Sequence, residues 1–339
     1  MTQIPVADAV GRTLYHDHTI IAGGKKGVAF KRGHVLRGED ISVLLNMGKE
    51  NVYVWEPEAG MLHEDDAAVR LAALCAGSHM TETAVSEGKI ELVAGCDGLF
   101  RADTAALAAM NAIPEIAVAF RRSLSPVRSG DRLAAMRVIP LEVPESVLAK
   151  AAGLTASPVF EVLPWRLKTA ALIVTGSEVL HGRVTDAFTP TAAAKFADYG
   201  ITITRHTVIG DDASAIAEAI AEAHRGGCGI IACAGGMSVD PDDQTPGAIR
   251  RSGAQVVTYG TPVFPGAMFM LAYFADGTPV VGLPGCVMHD RVTVFDVVLP
   301  RIAAGIGLTG EDFAGMGNGG LCLKCRYCCF PACSFGTGG

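Results

Sequence analysis

At 339 residues the chain exceeds the ~100–200 residues usual for one domain, so two folded units are expected. Half of the residues are hydrophobic and 19% are charged, which excludes a disordered chain, and no apolar run approaches the ~18–20 residues of a membrane-spanning helix. A formal net charge of −7 argues against a general nucleic-acid surface, although a local pocket for an anion would be hidden in that total.

The opening stretch MTQIPVADAVGRTLYHD has no basic region followed by an apolar block, so no export signal is read and the cytoplasm is the expected compartment. Residues 38–55 read as a helix and a strand: Ile41, Leu44 and Leu45 recur at helical spacing, Gly48 supplies a stop, and NVYVW alternates. In LHEDDAAVRLAALCAG a second helix is predicted, with Ala68, Leu71, Ala72 and Cys75 on one face and acids at the end that the helix dipole favours. GDRLAAMRVIPLEV predicts a strand interrupted by Pro140. His16, His18, His63, His79 and His181 form no i, i+4 pair on a helix and read as ordinary surface or loop residues. Lys25, Lys26, Lys31 and Arg32 make a basic stretch, read as a solvated loop with phosphate contact as the alternative. Residues 1–165 are thus expected to form a mixed α+β region.

Past the proline-punctuated TASPVFEVLPW the texture changes, and a boundary is placed near residue 165. Strands are predicted at TAALIVTG, ITITRHTVIG, CGIIACAGG, AQVVTYG and TPVVGLPG. Helices are predicted around 189–199, in DDASAIAEAIAEAHRGG, from Thr245, in FPGAMFMLAYF and in MHDRVTVFDVVLPRIAAG. In the clearest of these, Ala213, Ile216, Ala217 and Ile220 form the buried stripe, and Asp211 or Asp212 caps the start. Such alternation predicts an α/β fold over 166–310, with a mostly parallel sheet covered on both faces.

In an open parallel sheet, ligands bind beyond the carboxyl ends of the strands, where loops converge and helix N-termini offer free N–H groups. Four such loops carry marked residues: TGSEVLHGRVTD (175–186), IGDD (209–212), AGGMSVDPDDQTP (234–246) and LPGC (283–286). One acid after a strand is ordinarily a helix cap, and Asp211 alone reads that way. Together, however, Glu178, Asp186, Asp211, Asp242 and Asp243 would share one sheet edge and repel one another. A divalent cation, a basic ligand group or a proton-transfer role would relieve that repulsion. Gly235 and Gly236 permit close backbone approach. His206, on an alternating strand, reads as structural, and His289 is the histidine singled out for test.

Residues 311–339 form a Gly/Cys-rich tail, GMGNGGLCLKCRYCCFPACSFGTGG from Gly315, too short and glycine-rich to fold by burial alone, so a staple is expected. Cys322, Cys325, Cys328 and Cys333 follow the metal-ligand spacing C-x2-C-x2-C-x4-C, and both Zn2+ and a 4Fe-4S cluster accept four thiolates. Cys329 is surplus. Cys75, Cys96, Cys228, Cys233 and Cys286 read as small buried hydrophobes.

The series TGSE, GxxxD (Gly182, Asp186), a VIGDD turn, GGxS with PxDxTP (Pro241, Asp243, Thr245, Pro246) and LPG resembles the molybdopterin-binding domain. That domain is shared by molybdopterin adenylyltransferases, molybdopterin molybdotransferases and gephyrin, and the resemblance spans residues 168–305. PVADAVGRTL (Pro5 to Leu14) is also similar to the start of molybdotransferases. The resemblance implies a three-layer α/β/α domain that binds the pterin dithiolene with its phosphate or adenylate. Members transfer AMP to molybdopterin, or cleave that AMP with Mg2+ while inserting molybdate. It implies Asp243 and Asp211 as catalytic acids, and Thr175, Gly176, Ser177, Glu178, Asp186, Gly235, Gly236, Ser238, Thr245, Pro284 and Gly285 around the cofactor. Asp240 and Asp242 read as surface or cap residues beside Asp243.

The implied cofactors are molybdopterin, in its molybdenum or tungsten form, and Mg2+. The implied partners are molybdopterin or adenylyl-molybdopterin, molybdate, a molybdoenzyme or other cofactor-pathway protein, and further copies of the chain, with no nucleic acid and no membrane. Ser177 replaces a carboxylate of the family's TGDE, Ala267 stands where the molybdotransferases have the lysine of PGKP, and PGCVMH (Pro284 to His289) lacks the asparagine and serine of PGNPVS. The cysteine tail stands where molybdotransferases continue into a small β-rich domain. Pterin binding survives these changes better than turnover does. A molybdotransferase-like reaction therefore stands beside a non-catalytic carrier, chaperone or sensor, and a generic nucleotide-binding α/β protein is the third reading.

Overall fold

The computed structural model describes residues 1–22, 25–56 and 58–338. The chain divides into two compact units, one of Met1–Cys96, Phe100–Ser123 and Arg128–Val162, the other of Asp97–Leu99, Leu124–Val127 and Leu163–Gly339.

In the first unit a four-stranded antiparallel sheet runs in the order Met80–Glu82, Lys89–Ala94, Arg132–Val138, Ile116–Phe120. The helix Glu64–Cys75 packs on this sheet through Ala68, Leu71, Ala72 and Cys75, a 3.6-residue stripe that is fully buried. Its first turn carries Glu64, Asp65 and Asp66, and the His63 ring closes it by accepting the Asp65 N–H at 3.1 Å. A second small core gathers Val6, Leu14, Leu36, Leu44, Val52 and Val54, where the strand Thr2–Pro5 pairs antiparallel with Asn51–Val54. The helix Gly38–Asn46 contributes Leu44 to it, whereas Leu45, one residue further round, is exposed.

Three histidines depart from expectation. His18 is 3% exposed and His63 4%, and the His16 and His18 rings stand with centroids 4.5 Å apart. His18 and His63 lie in short strands and His16 in the bend before the first of them, and contacts such as His63 with Tyr15 and His16 with Tyr53 come from distant parts of the chain, so no local period marks them. Nor is the basic stretch a solvated loop at Arg32, whose guanidinium meets Asp65 (3.4 Å) and Asp66 (3.0 Å). The side chains of Lys25 and Lys26 lie outside the described residues.

The second unit is built on a six-stranded sheet in the order Thr202–Ile209, Thr169–Thr175, Ile230–Ala234, Pro279–Leu283, Met270–Tyr273, Gln255–Tyr259. The first three pairings are parallel and the last two antiparallel. Ile230–Ala234 is buried at every residue, as an apolar run without alternation requires when helices cover both faces. Ala170, Leu172 and Val174 point into a core shared with the helices Phe188–Ala197 and Val294–Ala303. Ala171 and Ile173 point into the opposite core, with Ala213–Arg225 and Thr245–Arg251. The unit is a three-layer α/β/α fold. Asp212, rather than Asp211, caps Ala213–Arg225, accepting the N–H groups of Ser214 and Ala215 at 2.8 Å each.

Two helix expectations are corrected. FPGAMFMLAYF contains the strand Met270–Tyr273, paired on both sides; a short apolar run buried on both faces has no period to separate strand from helix. MHDRVTVFDVVLPRIAAG divides into Cys286–His289 and Val294–Ala303, because Thr293 starts a new helix through a capping box with Asp296. Among the described residues no helix is long and apolar enough to cross a membrane.

The tail is held differently from expectation. Phe264 N–H donates to Gly320 O (2.7 Å), Cys322 N–H donates to Phe264 O (2.8 Å), and Phe335 is buried in the core of the α/β unit. Gly320 makes this docking possible, since a Cβ there would stand 2.4 Å from Pro262 O. Main-chain pairing and borrowed burial hold the segment, because it packs as an added layer and needs no core of its own.

Candidate site at the carboxyl edge of the sheet

The strands Thr169–Thr175 and Ile230–Ala234, with the turn after Thr202–Ile209, end on a cavity of about 360 Å³. Its wall includes Thr175, Gly176 and Glu178 from the first loop, Asp186 further along, Asp211 from the second, and Gly235, Gly236, Asp242 and Asp243 from the third. Gly235 and Gly236 take φ of +97° and +56°. A Cβ on Gly235 would stand 2.3 Å from Thr175 O, so only glycine lets the two strand ends close against each other and leaves backbone facing the cavity.

Thr245 locks this turn. It is fully buried, its hydroxyl donates to Gly235 O at 2.8 Å, and it lies 3.1 Å from the Thr175 hydroxyl. Its role here is to hold the turn, and it does not line the cavity.

The five acids differ in what they already hold. Asp211 accepts the Ser177 N–H at 2.9 Å and so braces the first loop against the second. Asp186 accepts the N–H groups of Phe188 (2.8 Å) and Thr189 (3.0 Å), as well as the Thr189 hydroxyl, starting the helix Phe188–Ala197. His206 supports it from the edge strand, with Nε2 at 2.9 Å from the Thr189 hydroxyl. Among the described residues the carboxylates of Glu178, Asp242 and Asp243 have no hydrogen-bond or ion-pair partner. The Asp243 carboxylate would lie 3.7 Å from a Cβ on Gly236, over the glycine turn.

Ser177 is absent from the wall, its N–H being spent on Asp211, and so is Ser238, whose carbonyl accepts the Tyr259 hydroxyl at 3.2 Å. Pro284 and Gly285 instead lead into the short helix Cys286–His289, which sends Met288 to the wall while His289 stays exposed and away from it. Asp242 is exposed, as read, and also lines the rim of the cavity. Val179, Val184, Phe188 and Met288, which sequence reasoning missed, form its apolar side. Only Phe188 carried a signal, as an aromatic residue just after the GxxxD acid. Among the described residues no lysine or arginine lines the wall, while five carboxylates do, so the site suits a ligand that brings N–H donors, a cation, or both.

Around the tail, Cys322, Cys325, Cys328, Cys329 and Cys333 line a separate cavity of about 310 Å³. Among the described residues, however, no three His, Cys, Asp or Glu side chains converge to hold a metal ion, and all ten cysteines are free thiols. The donor type suits Zn2+ or an iron–sulfur cluster, but the arrangement does not. Cys322 is held against the domain by its pairing with Phe264, while Cys325 stands in solvent beyond Lys324, which is drawn to Asp290 (2.9 Å).

Residues 171–304 match the family model described as a probable molybdopterin binding domain, and residues 3–56 match one described as a domain of unknown function. A CinA-like protein of Geobacter metallireducens is 38% identical over 91 residues, which are 27% of this chain and 22% of that protein. The chain thus spans less than a quarter of that relative. Among solved structures, the molybdopterin biosynthesis Mog protein from Mycobacterium ulcerans shares 20% identity with a TM-score of 0.36, covering 41% of this chain and 99% of that one. The molybdopterin biosynthesis enzyme MoaB from Thermus thermophilus shares 14% with a TM-score of 0.33, covering 41% and 98%.

Proposed function

We propose that the α/β unit binds a molybdopterin-type pterin at the carboxyl edge of its sheet, and that the protein serves molybdenum cofactor biosynthesis. The observation that carries this reading is the cavity beside Gly235–Gly236, lined by partner-free carboxylates within a stretch that matches a probable molybdopterin binding domain. Asp243, Asp242 and Glu178 accept the N–H groups of the pterin, which need acceptors once taken from water. Phe188, Val184 and Met288 cover the ring, and Gly235 and Gly236 let phosphate or adenylate approach the main chain.

The finer reading is a molybdotransferase-like reaction on adenylyl-molybdopterin, in which AMP is released as molybdate is taken up by the dithiolene. Asp243 has the free carboxylate for this reaction, and Asp211 positions the Ser177 loop. Mg2+ fits the donor set, since it takes one or two carboxylates together with substrate phosphate oxygens, and when bound it offsets phosphate charge. The test is AMP release from the adenylylated pterin on addition of molybdate. Release by the full chain, reduced at least tenfold in Asp243→Asn, is expected, about 1.4 kcal/mol or more of lost stabilisation. Release at the uncatalysed rate, or identical rates in the two proteins, would overturn it.

A second reading is favoured by the commitments of Asp211 and Asp186 within the fold and by Ser177 in place of an acid. Here the protein carries or senses the pterin without turnover. Tight pterin binding with no AMP release is its signature.

A further inference from the structure

We propose that the first unit holds a second site, for a flat nitrogen heterocycle whose edge offers a ring carbonyl beside N–H groups, the edge that guanine shares with oxidised pterins. A cavity of about 420 Å³ opens there, within the range of small-molecule sites, and no role has been given to it above. Its aromatic side is made by Tyr15, Trp55 and His63. The Tyr15 and Trp55 ring centroids are 5.4 Å apart, and His63 lies 4.8 Å from Tyr15 and nearly parallel to Trp55, at 22°. Trp55 is 38% exposed, and the Arg32 guanidinium sits 4.8 Å from its centre.

The polar groups specify the edge. His63 Nδ1 accepts the Asp65 N–H, so the neutral ring carries its proton on Nε2, which is buried and has no hydrogen-bond partner. It is a donor waiting for an acceptor. Glu58, Asp66 and Glu142 line the same cavity; Asp66 is paired with Arg32 (3.0 Å), Glu142 with the N-terminal ammonium (3.1 Å), and the cavity's Arg70 with Glu145. Glu142 is set in place by the Tyr15 hydroxyl, which donates to it at 2.7 Å. Donor beside acceptors, with aromatic walls, matches a carbonyl followed by ring N–H and amino groups. A phosphate or carboxylate ligand meets three acids while the neighbouring cations Arg32, Arg70 and the N-terminal ammonium are already engaged by carboxylates, an aliphatic amine leaves the rings unused, and adenine presents the opposite order of donors and acceptors.

The chain has two tryptophans, so Trp165→Phe leaves Trp55 as the reporter in the full-length protein. Titration with guanosine is expected to quench Trp55 saturably, with adenosine at least about tenfold weaker and inosine, which lacks the amino group, in between. Glu142→Gln is expected to weaken guanosine about tenfold while keeping the thermal transition of its parent. The nucleoside series needs no further variant, so the proposal stays testable if Glu142→Gln fails to fold. No saturable quench at millimolar guanosine, or equal quenching by guanosine and adenosine, would overturn it. Trp55 reports on the first unit, so either outcome is separate from the AMP-release assay on the second.

Discussion

Replacing Gly235 by alanine tests whether the turn at the sheet edge is built as described. The new methyl carbon would stand 2.3 Å from Thr175 O and 2.9 Å from the Thr175 hydroxyl, at a φ of +97°. Holding an L side chain at positive φ costs about 1–2 kcal/mol. Forcing an extra methyl into a filled space costs about 1–3 kcal/mol more. Thr175 cannot step aside, because its strand is paired on both sides and its hydroxyl is engaged with Thr245. A loss of about 2–5 kcal/mol follows, and at about 2–4 °C per kcal/mol for a unit of this size the thermal transition should fall by at least ~4 °C. Gly247→Ala is the control. Gly247 lies within the helix Thr245–Arg251 with open space where its Cβ would be, so alanine there should be neutral or stabilising by up to ~1 kcal/mol. Scanning calorimetry on both variants gives the comparison. Gly235→Ala melting with the parent, or Gly247→Ala falling as far, would refute the account of the turn.

Burial first, then the charges of His16 and Lys49, lowers His18 to about 4, and His16 and His63 are lowered too. Between roughly pH 6.5 and 4 the unfolded chain binds a proton that folded His18 refuses, so stability is full above that window and is lost as pH falls through it, by roughly 3 kcal/mol for His18 alone. Denaturant melts of the parent and His18→Gln should show the slope flattened in the variant, and an unchanged slope would count against it. Burial pushes the Cys75 and Cys233 thiols up to about 12, so Ellman's reagent should leave them untouched in the native protein while Cys325 and Cys329 react at once. Modification of Cys233 before unfolding would contradict the structure, and protection of Cys325 that a chelator removes would reveal a metal on the tail. Phe335→Ala removes a buried ring worth about 3–5 kcal/mol and should free residues 320–338 for limited proteolysis while the rest of the α/β unit resists; equal resistance of the tail in both proteins would contradict the docking described.

Local pattern carries far in some places and stops in others. The stripe Ala68, Leu71, Ala72 and Cys75 repeats with the helical period and is buried as that period requires, and the continuous apolar run of Ile230–Ala234 is a strand covered on both faces. Met270–Tyr273 shows the limit: the same kind of run offers no period, and only pairing on both edges made it a strand. The buried histidines of the first unit were illegible for a related reason, since long-range contacts rather than neighbours in sequence remove them from water.

At the candidate site the division is similar. Glycines after a strand and acids at the starts of the following helices follow from chain order, because every parallel strand delivers its loop to the same edge. Which of those acids are free was decided by packing: Asp211 faces the Ser177 N–H and Asp186 a helix start, whereas Asp243, two residues from the fully buried Thr245, faces the cavity. Cysteine spacing, likewise, records which atoms could meet, but the pairing of Phe264 with Gly320 and Cys322 determines where they lie. Residue type and period set what each segment can do locally, including the caps that Asp186 and Asp212 make to neighbours in sequence; a partner such as Ser177 for Asp211 comes from 34 residues away, and only the folded chain brings those together.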